Sequence, residues 1–394
     1  MKPQGDYNII QILLDGLRHD KVDSSSSLKS IKENSIYFSN MITVAPYTLA
    51  SVHAIFSGMY PSRNGVNGYY KMSRFRKDEI TTITQLLKEQ NYFTCCDVIH
   101  DAIVPSNGFD EKGIFDEDTV DFKKRHSEVI QKLSKKEKFF LFLHYTEPHK
   151  HLVDELNKIR TDSEYDKSEN IDTDALEDKF FESREENEVR YDSYMHELDN
   201  YVNCIINTVK DCGISDKTIL IFHSDHGTSL GEKKGEKFYG VFTYDYTIKV
   251  FSIIHIPHEK PQLVNSQCRT LDLYPTIGNL ANIPKDKFDP MIQGSSLLPL
   301  INNQETKERD VFVETGGLYG PWPSPEKHNI FCVRLNGKKL IYNDTPETWE
   351  FYDLTKDPSE LHNEYDEKSN EISSLKHLLI SYLKENQIET KISQ

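Results

Sequence analysis

The feature that most constrains this chain is a series of apolar runs that each end at a residue able to bind a metal ion. Asp15 directly follows one run, Asp225 and His226 follow another, and Thr48 lies where the loop after a third run enters a helix. Such runs are typical of buried strands, and the carboxyl ends of parallel strands open onto the crevice where α/β sheets bind ligands. Three such ends that meet at one cation would form a site that activates a hydroxyl group and binds a charged ester.

Helical and strand-like patterns alternate along most of the chain, which indicates an α/β fold. Strands are predicted at 8–14, 35–44, 93–98, 139–144, 218–222 and 250–256, and helices at 48–56, 82–90, 188–209 and from Asp272 onward. From about Arg309 the pattern changes to short strands at 311–314, 330–335, 339–342 and 350–354, followed by a helix at 371–383. We therefore expect a large mixed, mostly parallel sheet between helices and a small C-terminal antiparallel sheet plus helix.

This change of pattern predicts an α/β domain at 1–308 and an α+β subdomain at 309–394, with an acidic insertion at about 152–190 in the first.

The chain has 63 acidic and 47 basic residues and a net charge of −16, which argues against nucleic-acid binding. No apolar run approaches the ~20 residues of a transmembrane helix, and no secretory signal precedes the first strand. The sequence therefore predicts a cytoplasmic protein without a transmembrane segment, and it does not indicate the oligomeric state.

The four residues that end the apolar runs suit a divalent cation. Asp15 and Asp225 supply carboxylates, His226 supplies an imidazole and Thr48 supplies a hydroxyl group. A mixed set of oxygen and nitrogen ligands favours Mn²⁺ or Zn²⁺, with Mg²⁺ and Ca²⁺ as further candidates. A hydroxyl group bound to such an ion is a nucleophile at neutral pH. Alone, Thr48 would be read as a helix N-cap and the Asp-His pair as a turn; their combination favours a metal site.

Seven segments carry further motifs: Leu-Leu-Asp-Gly-Leu-Arg at 13–18, the stretch 45–66 from Ala-Pro-Tyr-Thr to Arg-Asn-Gly-Val, and the segments 143–149, 224–232, 272–276, 294–300 and 350–360. In this order they resemble the sulfatase family, within the wider alkaline phosphatase superfamily. The resemblance covers nearly the whole chain. It implies a sulfatase-like catalytic domain, a divalent metal ion held by Asp15, Asp225 and His226, and a nucleophile at Thr48.

The nucleophile position departs from the sulfatase pattern. Sulfatases carry Cys or Ser there, with Pro two residues later and Arg four residues later, and that residue is oxidised to formylglycine. Here Thr48 is followed by Ala50 and Val52 at those places, and threonine cannot give the aldehyde hydrate, so no formylglycine is expected. A threonine nucleophile resembles instead the phosphodiesterase and phosphoglycerol-transferase branches. Gly16 also replaces a second Asp, and His226 replaces the Asn often found in sulfatases.

The sequence thus predicts a metal-dependent hydrolase or transferase that cleaves a phosphate-type ester through Thr48. The ester would be a phosphodiester, a phosphomonoester or a phosphonate, small and anionic, on a group such as a glycan or a lipid headgroup. Two alternatives stay open. One is a sulfatase that works without formylglycine, and the other is an inactive relative that binds anions.

Further residues are candidates for contact with the substrate. His149 follows the strand at 139–144, and Tyr239 stands where the family commonly has His or Lys, so both are expected to assist the leaving group. Arg18, Arg63 and Lys237 are candidate anion contacts, since cationic side chains bind phosphate oxygens. Arg18 and Arg63 could equally form structural ion pairs, and Lys237 could equally belong to a solvated surface. The loop at 316–328 is expected to border the pocket.

Overall fold

The computed structural model describes residues 6–68, 74–165, 173–302, 304–305, 308–315 and 329–393. The strands are β1 (Asn8–Leu14), β2 (Ile36–Ile42), β3 (Phe93–Val98), β4 (Glu111–Ile114), β5 (Phe139–Tyr145), β6 (Thr218–His223), β7 (Lys249–His255), β8 (Gln262–Val264), β9 (Cys268–Arg269), β10 (Val311–Glu314), β11 (Ile330–Leu335), β12 (Lys338–Asn343) and β13 (Thr348–Asp353). The α-helices are α1 (Ser26–Glu33), α2 (Thr48–Ser57), α3 (Pro61–Asn64), α4 (Ile83–Glu89), α5 (Phe122–Leu133), α6 (Glu147–Tyr165), α7 (Thr173–Glu182), α8 (Arg184–Asp211), α9 (Asp245–Ile248), α10 (Leu273–Leu280), α11 (Leu298–Ile301) and α12 (Asn370–Glu385). Short 3₁₀ turns lie at His19–Ser24, Asp101–Ile103, Ser215–Lys217, Thr270–Asp272 and Lys285–Lys287.

The first nine strands form one sheet in the order β4-β3-β5-β1-β6-β7-β2-β8, with β9 beside β2. Within the described region, β7 is the one strand of this sheet that runs against the others. The carboxyl ends of β1, β2, β5 and β6 therefore lie at the same edge of the sheet. This arrangement confirms the mixed, mostly parallel sheet that the sequence predicts.

Strand β1 lies near the centre of this sheet and sends alternate side chains to its two faces. Ile10 packs in the apolar cluster that contains α5 and α8, whereas Ile9 packs in the cluster that contains α2, α4 and α10. Leu13 lies opposite His144 of β5 on one side and opposite His223 of β6 on the other. Because the three strands are in register at their carboxyl ends, the residues that follow them emerge close together.

Some elements were not predicted from the sequence. Edge strand β4 has no apolar run, and its Ile114 is exposed. The acidic insertion contains α6 and α7, and Phe180 and Phe181 of α7 pack against Phe238 in the loop between β6 and α9. The insertion thus covers the loop that follows β6. The loop at 316–328, expected to border the pocket, lies outside the described residues.

Strands β10 to β13 form a separate antiparallel sheet, as predicted. Helix α12 packs on it, with the ring of Tyr382 stacked on Phe312 at a centroid distance of 4.0 Å. The predicted boundary at residue 308 falls between α11 and β10 and stays a prediction. No helix in the described ranges combines the length and apolar character needed to cross a membrane.

A buried ion pair fastens this second sheet to the loop after β6. Lys339 of β12 is fully buried, and its Nζ lies 2.5 Å from Asp245 Oδ1 and 2.7 Å from Glu360 Oε1. The same ammonium group donates to the carbonyl oxygen of Thr243 at 3.0 Å. Glu360 also accepts the backbone N–H of Asp245 at 2.6 Å. The start of α9 is therefore held by residues from the C-terminal part of the chain.

Replacing Lys339 by Ala would leave the buried Glu360 without its cation. Loss of one partner from a buried pair costs about 3–5 kcal/mol of stability. The neighbouring Lys338 pairs with Asp353 at 2.6 Å and is partly exposed, so Lys338→Ala should cost about 0–1 kcal/mol. Urea unfolding of the two variants would measure the difference, and equal losses would contradict the role given to Lys339.

Candidate active site

The structure brings together the residues that end the apolar runs. Asp15 follows β1, Asp225 and His226 follow β6, and Thr48 is the first residue of α2 after β2. One ligand atom from each of Asp15, Asp225 and His226 lies within 4.8 Å of the other two. All four side chains are buried, with Asp225 and His226 fully enclosed. The sheet topology thus assembles the predicted cluster at a single point.

Distances within the cluster match the spacing of ligands around one ion. Thr48 Oγ1 lies 3.1 Å from His226 Nε2 and 3.3 Å from Asp15 Oδ1. His226 Nε2 lies 3.4 Å from Asp15 Oδ1 and 3.6 Å from Asp225 Oδ2. Neighbouring ligands bound at ~2.0–2.3 Å from one cation are themselves about 3–3.6 Å apart. A divalent ion fits this cluster.

Two further observations support a metal at this position. Asp225 Oδ2 is buried and has no hydrogen-bond partner among the described residues. His226 Nδ1 donates to the carbonyl oxygen of Gly227 at 2.8 Å. In the neutral ring the proton is therefore on Nδ1, and the lone pair of Nε2 points into the cluster. An unpaired carboxylate oxygen and an oriented imidazole nitrogen are the donors that a divalent ion requires.

The electrostatics of the cluster also favour a bound cation. Burial, reinforced by the charge of Asp15, raises the pKa of Asp225 to about 6. Burial opposes ionisation of Asp15 as well, but a hydrogen bond from His144 and the nearby His149, His144 and His226 hold the pKa of Asp15 well below its usual range. A bound cation would favour the ionised form of both carboxyl groups.

His144, the penultimate residue of β5, orients the first carboxylate. Its Nε2 donates to Asp15 Oδ2 at 2.7 Å, and the ring is buried. His151, two residues after His149, bonds the carbonyl oxygen of Arg190 at 3.1 Å, outside the cluster.

His149 and Tyr239 form a pair beside the cluster. The Tyr239 hydroxyl group lies 2.6 Å from His149 Nε2, and its ring stacks on His226 with centroids 4.4 Å apart. Burial lowers the pKa of His149, and the charge of Asp15 opposes this shift. Both residues line the cavity next to Thr48. The structure thus places the two predicted leaving-group residues side by side.

The cavity has a volume of about 340 Å³ and contains two polar residues that the sequence did not suggest. His100 lies two residues beyond β3, and Glu117 lies three residues beyond β4. Burial raises the pKa of the Glu117 carboxyl group. Both residues follow the carboxyl ends of parallel strands, so the rule that singled out Asp15 would also have found them. Glu117 was missed because β4 has no apolar run that would predict it. His100 was missed because the rule was not applied to the end of β3.

The three predicted anion contacts lie elsewhere. Arg18 is buried and donates to Asp20, to Glu232 and to the carbonyl oxygen of Thr228. These bonds hold the guanidinium group in place, and its contact with substrate stays a prediction. Arg63 lies in α3 and is absent from the residues that line the cavity. Lys237 is also outside that lining, with its ammonium group 5.7 Å from the centre of the Phe181 ring.

Gly16 explains one departure from the sulfatase pattern. Its φ angle is +67°, and a Cβ atom there would lie 3.0 Å from Thr228 Oγ1 and 3.2 Å from His149 Cβ. A side chain at this position would be strained and crowded. The close approach of His149 thus takes the space that a second Asp would need.

We expect the protein to bind Mn²⁺ or Zn²⁺ and to melt at a higher temperature when either ion is present, because ligands that bind the folded state stabilise it. Asp225→Asn should lower the affinity by at least about 100-fold, since even outer-shell changes at metal sites cost 10–100-fold. Calorimetric titration and thermal unfolding would measure both effects. His151→Ala, in the same segment as His149 but outside the cluster, is the control. Equal affinity in Asp225→Asn and the unaltered protein would refute the site.

Comparison with known proteins agrees with this geometry. A model of the Sulfatase family matches residues 8–283, and a model described as N-sulphoglucosamine sulphohydrolase, C-terminal, matches residues 235–389. An N-acetylglucosamine-6-O-sulfatase of Bacteroides thetaiotaomicron is 28% identical over 223 residues, which cover 51% of this chain and 38% of that protein. The chain spans less than half the length of the curated relatives it matches.

Two solved structures share the fold over almost their whole length. A 2-O GAG sulfatase has a TM-score of 0.80 at 18% identity, covering 98% of this chain and 93% of that one. The phosphonate monoester hydrolase of Agrobacterium radiobacter has a TM-score of 0.70 at 14% identity, covering 97% and 95%. At these identities the likeness concerns the fold alone. Because the family model matches well over half of the chain, and its matched residues include the whole metal-binding cluster, this protein belongs to the sulfatase family.

Proposed function

We propose that this protein is a metal-dependent hydrolase of phosphorus esters that uses Thr48 Oγ1 as its nucleophile. The observation that carries the proposal is the position of this oxygen, 3.1 Å from His226 Nε2 and 3.3 Å from Asp15 Oδ1 at the start of α2. When bound, a divalent ion would lower the pKa of the Thr48 hydroxyl group and offset negative charge on the ester.

The beginning of α2 suits the oxyanion of the substrate. The first backbone N–H groups of a helix have no partner within the helix, and they face the positive end of its dipole. Thr48 is the first helical residue of α2. The non-bridging oxygens of an ester at Thr48 would therefore lie next to the N–H groups of the first turn.

The reaction would proceed in two displacements. Thr48 Oγ1 passes its proton to solvent water and attacks phosphorus, the bond between phosphorus and the leaving oxygen breaks, and that oxygen keeps the electron pair. The leaving oxygen takes a proton from the pair formed by Tyr239 and His149, which regains one from solvent. Water then attacks the phosphothreonine at phosphorus and loses a proton to solvent, and the threonine oxygen departs and takes a proton from solvent. An acceptor alcohol in place of water would make the protein a transferase.

The side chain of Thr48 is the reason to favour phosphorus over sulfur. A formylglycine hydrate carries two hydroxyl groups on one carbon, so its sulfate ester can collapse to the aldehyde and release sulfate. Thr48 has a methyl group in place of the second hydroxyl group, so a sulfated threonine cannot collapse in this way. A phosphothreonine is released by a second attack at phosphorus, which needs no second hydroxyl group.

Sulfate-ester hydrolysis is the second candidate, and the named relatives support it better than they support a phosphorus ester. The similar protein of Bacteroides thetaiotaomicron is called an N-acetylglucosamine-6-O-sulfatase, and one similar fold is that of a 2-O GAG sulfatase. Of the three relatives described above, the phosphonate monoester hydrolase is the one whose name indicates a phosphorus ester. A sulfated sugar is therefore the substrate class to test against phosphate and phosphonate esters.

Turnover of 4-nitrophenyl phosphate, bis(4-nitrophenyl) phosphate, a 4-nitrophenyl phosphonate and 4-nitrophenyl sulfate with added Mn²⁺ or Zn²⁺ tests the proposal. We expect cleavage of at least one phosphorus ester. Thr48→Ala should reduce it by at least about 10³-fold because loss of a nucleophile removes the covalent route. Thr48→Ser, which keeps the hydroxyl group, is the matched control and should retain most activity. Cleavage of the sulfate alone would favour the second candidate, and cleavage that survives in Thr48→Ala would exclude Thr48 as nucleophile.

Substitution of the His149 and Tyr239 pair should show a dependence on the leaving group. His149→Ala should slow esters of weakly acidic alcohols by about 10²- to 10⁴-fold, the usual contribution of proton transfer. It should have little effect on 4-nitrophenyl esters, whose leaving group needs no proton. Rates across a series of substituted phenyl esters would measure this, with Tyr239→Phe as a companion variant. A uniform loss across the series would show that His149 positions the site and does not assist departure.

A further inference from the structure

The cavity beside Thr48 continues into a second cleft that runs along α2. The two share Leu49 and His100 in their walls. The second cleft has a volume of about 630 Å³ and reaches Arg74, Phe75 and Lys77. We call it the α2 cleft. Because it opens from the catalytic cavity, a group attached to an ester at Thr48 can extend into it.

The distance along the helix suits one ring of the substrate. His53 lines the α2 cleft and lies five residues after Thr48 in the same helix. At 1.5 Å per residue, the two are about 7.5 Å apart along the helix axis. This span accommodates a six-membered ring and one substituent between the reacting atom and the far part of the cleft.

The outer wall of the cleft is held in place by the backbone. The N–H group of Arg74 donates to the carbonyl oxygen of Gly65 at 3.1 Å, and that of Arg76 donates to Asn64 at 3.0 Å. Gly65 has a φ angle of +90°, and a Cβ atom there would lie 2.4 Å from the carbonyl oxygen of Arg74. The turn after α3 therefore fixes where the cationic wall lies.

An apolar surface lies between this wall and α2. The ring of Phe75 packs against His53 with centroids 5.2 Å apart. Burial lowers the pKa of His53 to about 4, so the ring is uncharged, and its Nδ1 donates to the carbonyl oxygen of Leu49 at 2.8 Å. An aromatic ring beside a neutral imidazole offers a face on which a sugar or phenyl ring can lie.

The cations at the far part of the cleft have no carboxylate partner. Arg74 and Lys77 are exposed, and neither forms an ion pair with the residues that the structure describes. Asp101, the acidic residue in the same lining, pairs with Lys112 at 2.9 Å. The far part of the cleft is therefore positively charged although the whole chain is acidic.

The basic loop after β6 offers no comparable site. Lys233 donates to the carbonyl oxygen of Glu360 and lies over the Tyr244 ring at 4.6 Å. Lys234 pairs with Glu182 at 3.3 Å. These cations already have partners, whereas Arg74 and Lys77 face the cleft that leads from Thr48.

We propose that the α2 cleft binds the leaving group of the substrate, and that this group is a six-membered ring bearing a second anionic substituent. A carboxylate, sulfate or phosphate on the ring would lie between Arg74 and Lys77, and the ring would lie against Phe75. This inference rests on the proposed function, because it takes the ester to be bound at Thr48. It identifies the substrate as an ester with two separate negative charges.

Two isosteric leaving groups test this directly. The 4-carboxyphenyl and 4-carbamoylphenyl esters, prepared as phosphates and as sulfates, differ in charge and hardly in shape. We expect kcat/KM to be about three- to tenfold higher for the carboxyphenyl ester, the range that two exposed ion pairs supply. Arg74→Ala combined with Lys77→Ala should remove the preference, so that the two esters are turned over at equal rates. The control is Arg76→Ala, which removes an exposed cation of the same segment outside the cleft. This variant should retain the preference for the carboxyphenyl ester.

Binding to Thr48→Ala, measured by calorimetry, separates this inference from the proposed function. We expect tighter binding of the carboxyphenyl compound than of the carbamoylphenyl compound, with the difference lost when Arg74→Ala and Lys77→Ala are added. A difference in binding without any turnover by the unaltered protein would refute the proposed function and leave the cleft assignment standing. Equal binding of the two compounds, or a preference that survives loss of both cations, would overturn the cleft assignment.

Discussion

The proximity of two buried carboxylates is the constraint on which the rest of the site depends. Asp15 and Asp225 are drawn together because β1 and β6 are adjacent, parallel and in register. Burial disfavours their charged forms, and His144 is directed at Asp15 alone. The remaining charge calls for a cation, and Thr48 places a hydroxyl group where that cation would act on it. The same arrangement thus concentrates negative charge that a metal ion would neutralise, and it places beside that charge the hydroxyl group that the ion would activate.

Much of this could be predicted because it depends on local sequence. An apolar run followed by a carboxylate marks both a buried strand and the edge at which it ends, so the sheet and the Asp15, Asp225 and His226 cluster were predictable. The pairing of Arg18 with Glu232 could not be predicted, because an arginine looks the same in sequence whether it faces substrate or a distant acid. Glu117 was missed because its strand is an exposed edge strand without an apolar pattern. These errors concern long-range pairing, which no local pattern encodes.

The departures from the sulfatase pattern are related in space. The backbone of Gly16 passes so close to His149 that no side chain fits there. His149 in turn holds Tyr239, whose ring stacks on His226. The missing acid, the imidazole ligand and the tyrosine are therefore parts of one packed group around Thr48. Reverting any one of them singly would disturb its neighbours, so Thr48 is best regarded as part of a coherent variant of the family's site.

The attachment of α9 to Lys339 and Glu360 has a consequence for how the protein matures. The segment that carries Tyr239 is fastened at its far end by residues that lie about a hundred positions later in the chain. During synthesis on the ribosome, the nucleophile and every metal ligand emerge long before the residues that fix this segment. A chain that ends before β12 would therefore contain every residue of the candidate site but lack the ion pair that holds the start of α9.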